Sequence, residues 1–356
     1  MSTSAAQPQP SARPEVALGY DDGFRNNKVA GPNGAQYTTP SQVRRGPRNV
    51  VAMSGDGPDI GEFRIGETHY SAGHVDGEST HFDEYPHSEL SRVMAFHTLY
   101  AAGYGGCRLR LATGLPIKLY YRAGTGEVNE DYVAKKKQNL HNAIEMVHPS
   151  PTYGDGPEPF EVLSHEVLPE GLVAWFHLLI DERGDGASAK PVYRKSLESE
   201  PVGFIDMGGR TTDLAVVVDG EVDLARSRSI EHGMINVRQR VREAICARYD
   251  LPKFSDQALE QALASGKARI FGKPVDVTDI IKSAKHTELE IIRDQVRTIF
   301  GAGAELSQVQ IFGGAALDFR DLLTEQAWFR HQQMADNPLY VNAIGMYKFI
   351  RYVAGA

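Results

Sequence analysis

The stretch that most constrains this fold is Val202 to Val218, which reads VGFIDMGGRTTDLAVVV. Two apolar, β-branched runs flank an acidic, glycine-containing turn, which predicts two buried strands joined by a tight turn. Gly208 and Gly209 have no Cβ, so their backbone N–H groups can turn inward and approach an anion closely. The Asp206 carboxylate at the tip can hold a divalent cation that bridges to a phosphate. An ordinary hairpin with a polar turn is the alternative interpretation.

The same pattern occurs a second time near the beginning of the chain. Val16 to Gly31 is an apolar strand followed by an acidic turn, made of Asp21, Asp22 and Gly23, and then by polar residues. Lys28 lies where a cation could reach a phosphate. Two acidic hairpins so far apart in one chain predict two facing lobes with a nucleotide held between them.

Length and composition limit the class of protein. With 356 residues, 41% apolar and 24% charged, the chain has the composition of a soluble globular protein of two or three domains. A net charge of −8 argues against a general nucleic-acid-binding surface. Cys107 and Cys246 are too few for a disulfide framework and lack zinc spacing, which favours a reducing cytosol. The apolar run Leu172 to Ile180 is far shorter than the ~20 residues of a membrane span, and we expect a disordered tail over 1–14.

Two further stretches carry candidate site residues. Val309 to Leu323 repeats the order of strand, Gly-Gly and helix, and Gly313 and Gly314 would let a ligand lie against the backbone at a helix start. No GxxxxGK[ST] sequence is present, which excludes a P-loop nucleotide site at the level of the motif.

The other stretch, Phe160 to Gly171, reads FEVLSHEVLPEG and predicts a strand that ends near Ser164. A helix from Gly171 to Ile180 would follow, with Glu166 just before it. The helix dipole favours a carboxylate at this end and keeps it ionised, as a general base must be. A helix-capping or surface glutamate is the alternative.

The paired hairpins resemble the phosphate loops of the actin, sugar-kinase and heat-shock chaperone ATPase superfamily. More narrowly, they resemble those of the bacterial plasmid-segregation actins, the ParM or StbA family. Arg108 to Tyr121 followed by a lysine-rich helix at Val133 to Val147 is similar to the same region of that family, as is the closing stretch Asn337 to Tyr352. The resemblance extends over nearly all of Val16 to Tyr352.

The resemblance implies an α/β, actin-like ATPase fold, with two ribonuclease-H-like lobes around a nucleotide cleft. Residues 15–185 and 336–356 would form domain I, residues 186–200 a linker loop, and residues 201–335 domain II.

The resemblance also implies a site for ATP, or GTP, with Mg²⁺. Asp21 and Asp206 would hold the metal through water, Asp206 would take part in catalysis, and Glu166 would position the attacking water. The nucleotide would be contacted by Asp22, Gly23, Asn26, Lys28, Gly208, Gly209, Thr211, Thr212, Gly233, Gly313, Gly314 and Ala315. Four residues depart from the family pattern, which implies a different nucleotide preference or slower hydrolysis: Phe24, Arg25, Arg210 and Ala315.

The function implied by the resemblance is a filament-forming ATPase that segregates plasmid DNA. Its partners would be further copies of itself in a polar filament and a DNA-binding adaptor on a plasmid centromere. No direct nucleic-acid binding, no membrane and a cytoplasmic location are expected. A small-molecule kinase of the same superfamily is one rival. It would need a substrate-binding carboxylate in the cleft, and the sequence offers no clear candidate beyond Glu166. A non-hydrolysing scaffold is the other, and such proteins often carry an amphipathic membrane anchor that is not apparent here.

Overall fold

The computed structural model describes residues 13–48, 59–184 and 186–354. The tail predicted at residues 1–14 therefore lies outside the described residues, except for its last two positions. No helix of the described residues is both long enough and apolar enough to cross a bilayer.

The strands lie in several sheets. In chain order they are β1 (Glu15–Asp22), β2 (Asn26–Ala30), β3 (Gln36–Pro40), β4 (Val43–Arg45), β5 (Ile60–Ile65), β6 (Thr68–Gly73), β7 (Arg108–Leu115), β8 (Glu145–His148), β9 (Glu161–Pro169), β10 (Ile180–Arg183), β11 (Lys190–Tyr193), β12 (Val202–Met207), β13 (Thr212–Val218), β14 (Glu221–Val222), β15 (Arg228–Ile230), β16 (Lys267–Ile270), β17 (Lys273–Asp276), β18 (Gln308–Phe312) and β19 (Gln332–Met334).

The helices pack on these sheets and connect them. They are α1 (Glu89–Ala101), α2 (Ile117–Tyr120), α3 (Glu130–His141), α4 (Ala174–Leu179), α5 (Met234–Tyr249), α6 (Asp256–Ser265), α7 (Thr278–Phe300), α8 (Gly314–Asp318), α9 (Arg320–Glu325) and α10 (Val341–Tyr352).

The two main sheets have the same arrangement at their centres. One has the order β3-β2-β1-β7-β9, and the other has the order β14-β13-β12-β18-β19. In each, a hairpin (β1–β2 or β12–β13) carries facing polar residues near its tip, with Asp21 opposite Lys28 and Asp206 opposite Asp213. The first strand of each hairpin also pairs in parallel with a later strand, β7 or β18. The two predicted acidic hairpins and the two-lobed design are thereby confirmed.

Each lobe has its own hydrophobic core, and the last helix joins the lobes. Buried Leu18 and Leu111 belong to the core of the first lobe. Buried Ile205, Val241 and Ile292 belong to the second, where α5 and α7 cover the sheet. The last helix, α10, returns to the first lobe, where it packs against β1, β7 and α4. This return places the two hairpins on either side of one cleft.

Two stretches differ from the sequence-based expectation. The helix predicted from Val133 to Val147 ends at His141, because Asn142 adopts an extended conformation. The chain then forms β8, which completes a separate sheet of order β4-β6-β5-β8. The linker loop predicted at residues 186–200 contains β11, which pairs antiparallel with β10.

Candidate functional site

A cleft opens where the two hairpins face each other. Most of the residues predicted to bind nucleotide or metal line it together: Asp21, Gly23, Asn26, Lys28, Asp206, Gly208, Gly209, Thr211, Gly313, Gly314 and Ala315.

The first hairpin presents a fixed cation to the cleft. Lys28 Nζ donates a hydrogen bond of 2.6 Å to Asp21 Oδ2, and both side chains are almost entirely buried. Burial alone would lower the pKa of Lys28, but the carboxylates of Asp21 and Asp206 outweigh it and raise that pKa. Lys28 therefore remains protonated at neutral pH.

The second hairpin presents a carboxylate that is poorly compensated. Asp206 Oδ2 accepts a hydrogen bond of 2.6 Å from Asn342 Nδ2 on α10. Burial, together with the charges of Asp213 and Asp21, raises the pKa of Asp206 to about 8. The ionised form is disfavoured first because the group is buried and then because two further carboxylates lie near it. A bound cation would offset the charge of these carboxylates.

Asp213 ties the second hairpin to the first lobe. Its Oδ2 accepts a hydrogen bond of 3.0 Å from Thr211 Oγ1, and its Oδ1 accepts one of 3.1 Å from the Ile117 backbone N–H. The Ser229 hydroxyl also donates to Oδ1. Burial raises the pKa of Asp213, whereas these hydrogen bonds oppose the rise. We had not predicted a role for this residue.

Glu170 is the carboxylate that lines the cleft from the end of β9. Burial, followed by the charges of Asp21 and Asp213, raises its pKa well above the ordinary value. Its carboxylate has no hydrogen-bond partner among the described residues, and it faces the space between the two hairpins. Such a group is free to contact a ligand or a water molecule in the cleft.

Glu166 lies elsewhere. The strand β9 continues to Pro169 and α4 begins only at Ala174, so Glu166 lies within an edge strand and not at a helix start. Its Oε2 pairs with Lys137 Nζ at 2.8 Å, and its side chain is 42% exposed. Glu166 is not among the residues that line the cleft.

Asp22 also points away from the cleft, because alternate side chains of a strand lie on opposite faces. Lys136 Nζ of α3 contacts its two carboxylate oxygens at 2.7 and 2.8 Å and also donates to the Gly114 carbonyl. Both side chains are nearly inaccessible, at 4% for Lys136 and 3% for Asp22. Lys136, one of three consecutive lysines of α3, thus forms a buried ion pair that fastens the first hairpin to α3.

Thr212 and Gly233 support the second hairpin from behind. The Thr212 hydroxyl donates a hydrogen bond of 2.8 Å to the His232 carbonyl oxygen. A Cβ at position 233 would come within 2.7 Å of the Gly208 carbonyl oxygen and 2.8 Å of that of Gly209. Only glycine therefore lets α5 begin directly against the hairpin. Neither residue is among those lining the cleft.

Three of the four residues that depart from the family pattern, Phe24, Arg25 and Arg210, join the two lobes at the rim of the cleft. Arg25 lies in the turn of the first hairpin, and its Nη1 is 2.7 Å from Asp318 Oδ2 of α8 in the second lobe. The Arg210 guanidinium lies 5.7 Å from the ring centroid of Phe24, and its NH1 is 2.9 Å from Asp83 Oδ1. These contacts cross from one lobe to the other.

Two family models match successive parts of the chain. Residues 20–181 match the N-terminal domain of plasmid segregation protein ParM. Residues 204–325 match the C-terminal domain of the archaeal actin homologue MreB-like family. Together the two matches, both to families of actin-like proteins, cover most of the chain. A comparison with curated protein sequences finds no match.

Solved structures of actin-like proteins share the fold of this one. ParM in a 15-stranded filament from Clostridium botulinum is 19% identical, with a TM-score of 0.71 over 95% of this chain and 99% of that chain. The archaeal actin homologue Ta0583 is 17% identical, with a TM-score of 0.69 over 94% and 98%. Bacillus thuringiensis ParM with ATP is 13% identical, with a TM-score of 0.66 over 96% and 99%. The predicted α/β actin-like fold is confirmed.

Proposed function

We propose that this actin-like protein is a filament-forming ATPase that acts in plasmid DNA segregation. The observation that carries the proposal is the meeting of Asp21, Asp206 and Glu170 in one cleft, beside the protonated Lys28. Matching structures include a ParM filament and a ParM with ATP, which supports the same behaviour here.

The glycines of the cleft form the proposed cradle for the nucleotide. Gly23, Gly208 and Gly209 lie at the two hairpin tips, where backbone N–H groups can bind phosphate oxygens. Gly313 has a φ of +96°, and a Cβ there would collide with Asp206 and the Met207 carbonyl. That position therefore requires glycine where the chain turns into α8. We propose ATP as the nucleotide, with GTP as the alternative.

The residues present fit Mg²⁺ held jointly by protein and nucleotide. No three acidic, histidine or cysteine side chains of the described residues converge closely enough to hold a metal ion by themselves. Mg²⁺ commonly binds through one or two carboxylates together with substrate phosphates and water. After burial, the charges of Asp213 and Asp21 are the next causes that raise the pKa of Asp206, and a bound cation would offset these charges. Asp21 and Asp206 would hold the ion, which would neutralise charge that develops on the phosphates.

We assign to Glu170 the water-orienting role that the family resemblance implies for Glu166. A general base must reach the attacking water, and Glu170 faces the cleft whereas Glu166 is paired with Lys137. A pKa raised above the ordinary value also makes Glu170 a stronger proton acceptor once it is ionised. Lys28 would neutralise phosphate charge from the opposite side.

Assembly and cargo complete the proposal. We propose that copies of the chain form a polar filament and that a DNA-binding adaptor links it to a plasmid centromere in the cytoplasm. A net charge of −8 supports an adaptor over direct DNA binding. We also propose the domain division 15–185 with 336–356, linker 186–200, and 201–335, which agrees with the return of α10 to β1.

Phosphate release and light scattering, measured together on the purified protein with ATP and Mg²⁺, test this function. We expect filaments at micromolar concentration, followed by phosphate release and disassembly. Flat scattering over a wide concentration range contradicts the proposal. Glu170 also supplies the cleft carboxylate that a small-molecule kinase requires, so the assay is repeated with candidate sugars, and phosphoryl transfer to a sugar would favour the kinase.

A further inference from the structure

The hairpin β16–β17 ends in an exposed aromatic residue that nothing in its own fold explains. Phe271 is 83% exposed, more than any other large apolar residue of the described chain. Its φ is +45°, and that of Gly272 is +80°, as a two-residue hairpin turn of type I′ requires. Asparagine, aspartate or glycine normally occupies such a position, because other side chains are strained there. A strained and solvated phenylalanine indicates a role outside the folded monomer.

Basic side chains surround this phenylalanine. Along β16 the residues alternate, so that Ala268 and Ile270 are buried in the core while Lys267 and Arg269 are exposed. Lys273 is exposed on the other side of the turn. We call the set of Lys267, Arg269, Phe271 and Lys273 the basic tip. Acidic Asp276 and Asp279 lie at the base of the hairpin, where they bind the Thr278 N–H and Arg248.

The same lobe carries the opposite combination at its other end. Asp219 lies in the turn between β13 and β14, Glu221 begins β14, and Leu224, 40% exposed, follows them. Glu305, whose side chain is 89% exposed, belongs to the same group, because its Oε2 lies 3.5 Å from Arg226 Nη1. Arg226 is also paired with Asp223. We call the set of Asp219, Glu221, Leu224 and Glu305 the acidic pole.

The long helix α7 separates the two surfaces. The basic tip lies at its beginning, where the Val277 N–H bonds the Gly266 carbonyl at the base of the hairpin. The acidic pole lies at the end of α7. Glu305 comes shortly after Phe300, the last residue of the helix, and the nearby Ser307 donates its N–H to the Pro201 carbonyl oxygen. A helix of 23 residues at about 1.5 Å per residue spans about 35 Å. The two surfaces therefore lie at opposite ends of the lobe.

We propose that the basic tip of one copy docks on the acidic pole of the next copy, and that Phe271 packs against Leu224 at the centre of the contact. Two complementary surfaces at opposite ends form a heterologous contact, which extends into an open filament when its rotation does not close. This inference rests on the proposed filament function and names the residues that would make its longitudinal contact.

Charge favours a second copy over the other ligands of a basic, aromatic tip. Single-stranded nucleic acid and anionic membranes also bind such surfaces. The chain as a whole has a net charge of −8, which repels both polyanions. A second copy instead offers an acidic surface with an exposed leucine of its own. Binding of nucleic acid or vesicles is therefore an outcome that the experiment must separate.

The decisive variant is Phe271→Asn. Asparagine suits the positive φ of this turn, so the variant removes the aromatic ring and keeps the fold. We expect an unchanged or higher melting temperature, unchanged affinity for Mg·ATP, and a critical concentration for assembly at least tenfold higher. Tyr193→Asn is the matched control, because Tyr193 is an aromatic residue that is 40% exposed on β11. It should assemble as the wild type does.

A mixing experiment tests the head-to-tail direction. The double variant Glu221→Lys/Glu305→Lys keeps its basic tip, whereas Phe271→Asn keeps its acidic pole. Each alone should remain monomeric with Mg·ATP in sedimentation velocity near the wild-type critical concentration. Mixed, they should form a one-to-one dimer that does not extend, because only one of the two possible contacts is intact.

The outcomes are distinct. Normal assembly of Phe271→Asn, or no dimer in the mixture, overturns the contact while the proposed ATPase function stands. A wild type that binds Mg·ATP and never associates overturns both. Loss of binding to an oligothymidine or to phosphatidylserine vesicles, with assembly unchanged, also overturns the contact and assigns the tip to that ligand.

Discussion

Replacing Glu170 by glutamine, with Glu166→Gln as the matched control, is the sharpest test of the assignment in the cleft. Both substitutions replace a carboxyl group on β9 or just after its end with an amide and keep the shape of the side chain. Glu170 lines the cleft, whereas Glu166 is paired with Lys137 of α3, outside the cleft. The two variants therefore differ mainly in whether the cleft or the contact with α3 loses a carboxyl group.

The structure predicts opposite effects of the two changes. Without a positioned base, Glu170→Gln should hydrolyse ATP about 10²–10⁴-fold more slowly. Its unfolding free energy should be unchanged or higher, because Glu170 faces the like charges of Asp21 and Asp213. Glu166→Gln breaks an ion pair whose partners are 37% and 42% exposed, which costs about 0–1 kcal/mol of stability. Hydrolysis by that variant should remain within about twofold of the wild type, because no group of the cleft changes.

Phosphate release and light scattering on the same sample decide between these expectations. Filaments of Glu170→Gln should form with ATP and persist long after those of the wild type have disassembled. Chemical denaturation gives the two stabilities. Normal phosphate release by Glu170→Gln, together with slow release by Glu166→Gln, would refute the assignment and return the role to Glu166.

Three further predictions follow from buried or inter-lobe charges. Lys136→Met should lower the unfolding free energy by about 3–5 kcal/mol in urea titrations, because it leaves the buried Asp22 unpaired; a loss below about 1 kcal/mol contradicts this reading. A double-mutant cycle of Arg25→Ala and Asp318→Ala should give a coupling free energy of at most about 1 kcal/mol, because the pair is partly exposed. Both single variants should nevertheless release nucleotide faster in stopped-flow exchange, because the pair joins the two lobes. Unchanged release rates contradict this inter-lobe role. The pKa of Asp206 is raised to about 8, so the folded protein retains a proton that the unfolded chain has lost. Its contribution to stability should therefore fall as pH rises from about 4 to about 8, and Asp206→Asn should remove that slope from pH-dependent unfolding curves; an unchanged slope contradicts the shifted pKa.

The local patterns predicted much of the fold. Both acidic hairpins form where the runs of apolar residues and glycines predict them. These elements follow from short-range periodicity and turn chemistry, which act over a few residues. The same is true of the Gly313–Gly314 turn into α8.

The choice between Glu166 and Glu170 depended on long-range structure. Polar residues at 164–166 suggested a strand end, but β9 is an edge strand, which tolerates polar side chains on its outer face. Pairing with β7 as far as Pro169 carries the strand onward and brings Glu170 to the cleft. The apolar residues Val167 and Leu168 are the signal in the sequence that the strand continues beyond Glu166.

Lys136 shows a similar limit. Only one side of a helix faces the core, so at most one or two of three consecutive lysines can lie on that side. The sequence alone does not reveal which lysine meets a buried carboxylate. Here Lys136 is buried against Asp22, while Lys135 and Lys137 are not. Local charge favours a solvated face, and a tertiary ion pair overrides it for one residue.

The central claim is that a nucleotide bound between two acidic hairpins drives assembly. Electron microscopy and pelleting of the wild type and of Asp206→Ala, each with Mg·ATP, with Mg·ADP and without nucleotide, test it directly. We predict filaments of the wild type with Mg·ATP, loss of them as ADP accumulates, and none for Asp206→Ala, which should not bind Mg·ATP in calorimetry. Filaments that form equally without nucleotide, or an Asp206→Ala variant that binds and assembles like the wild type, would contradict the account.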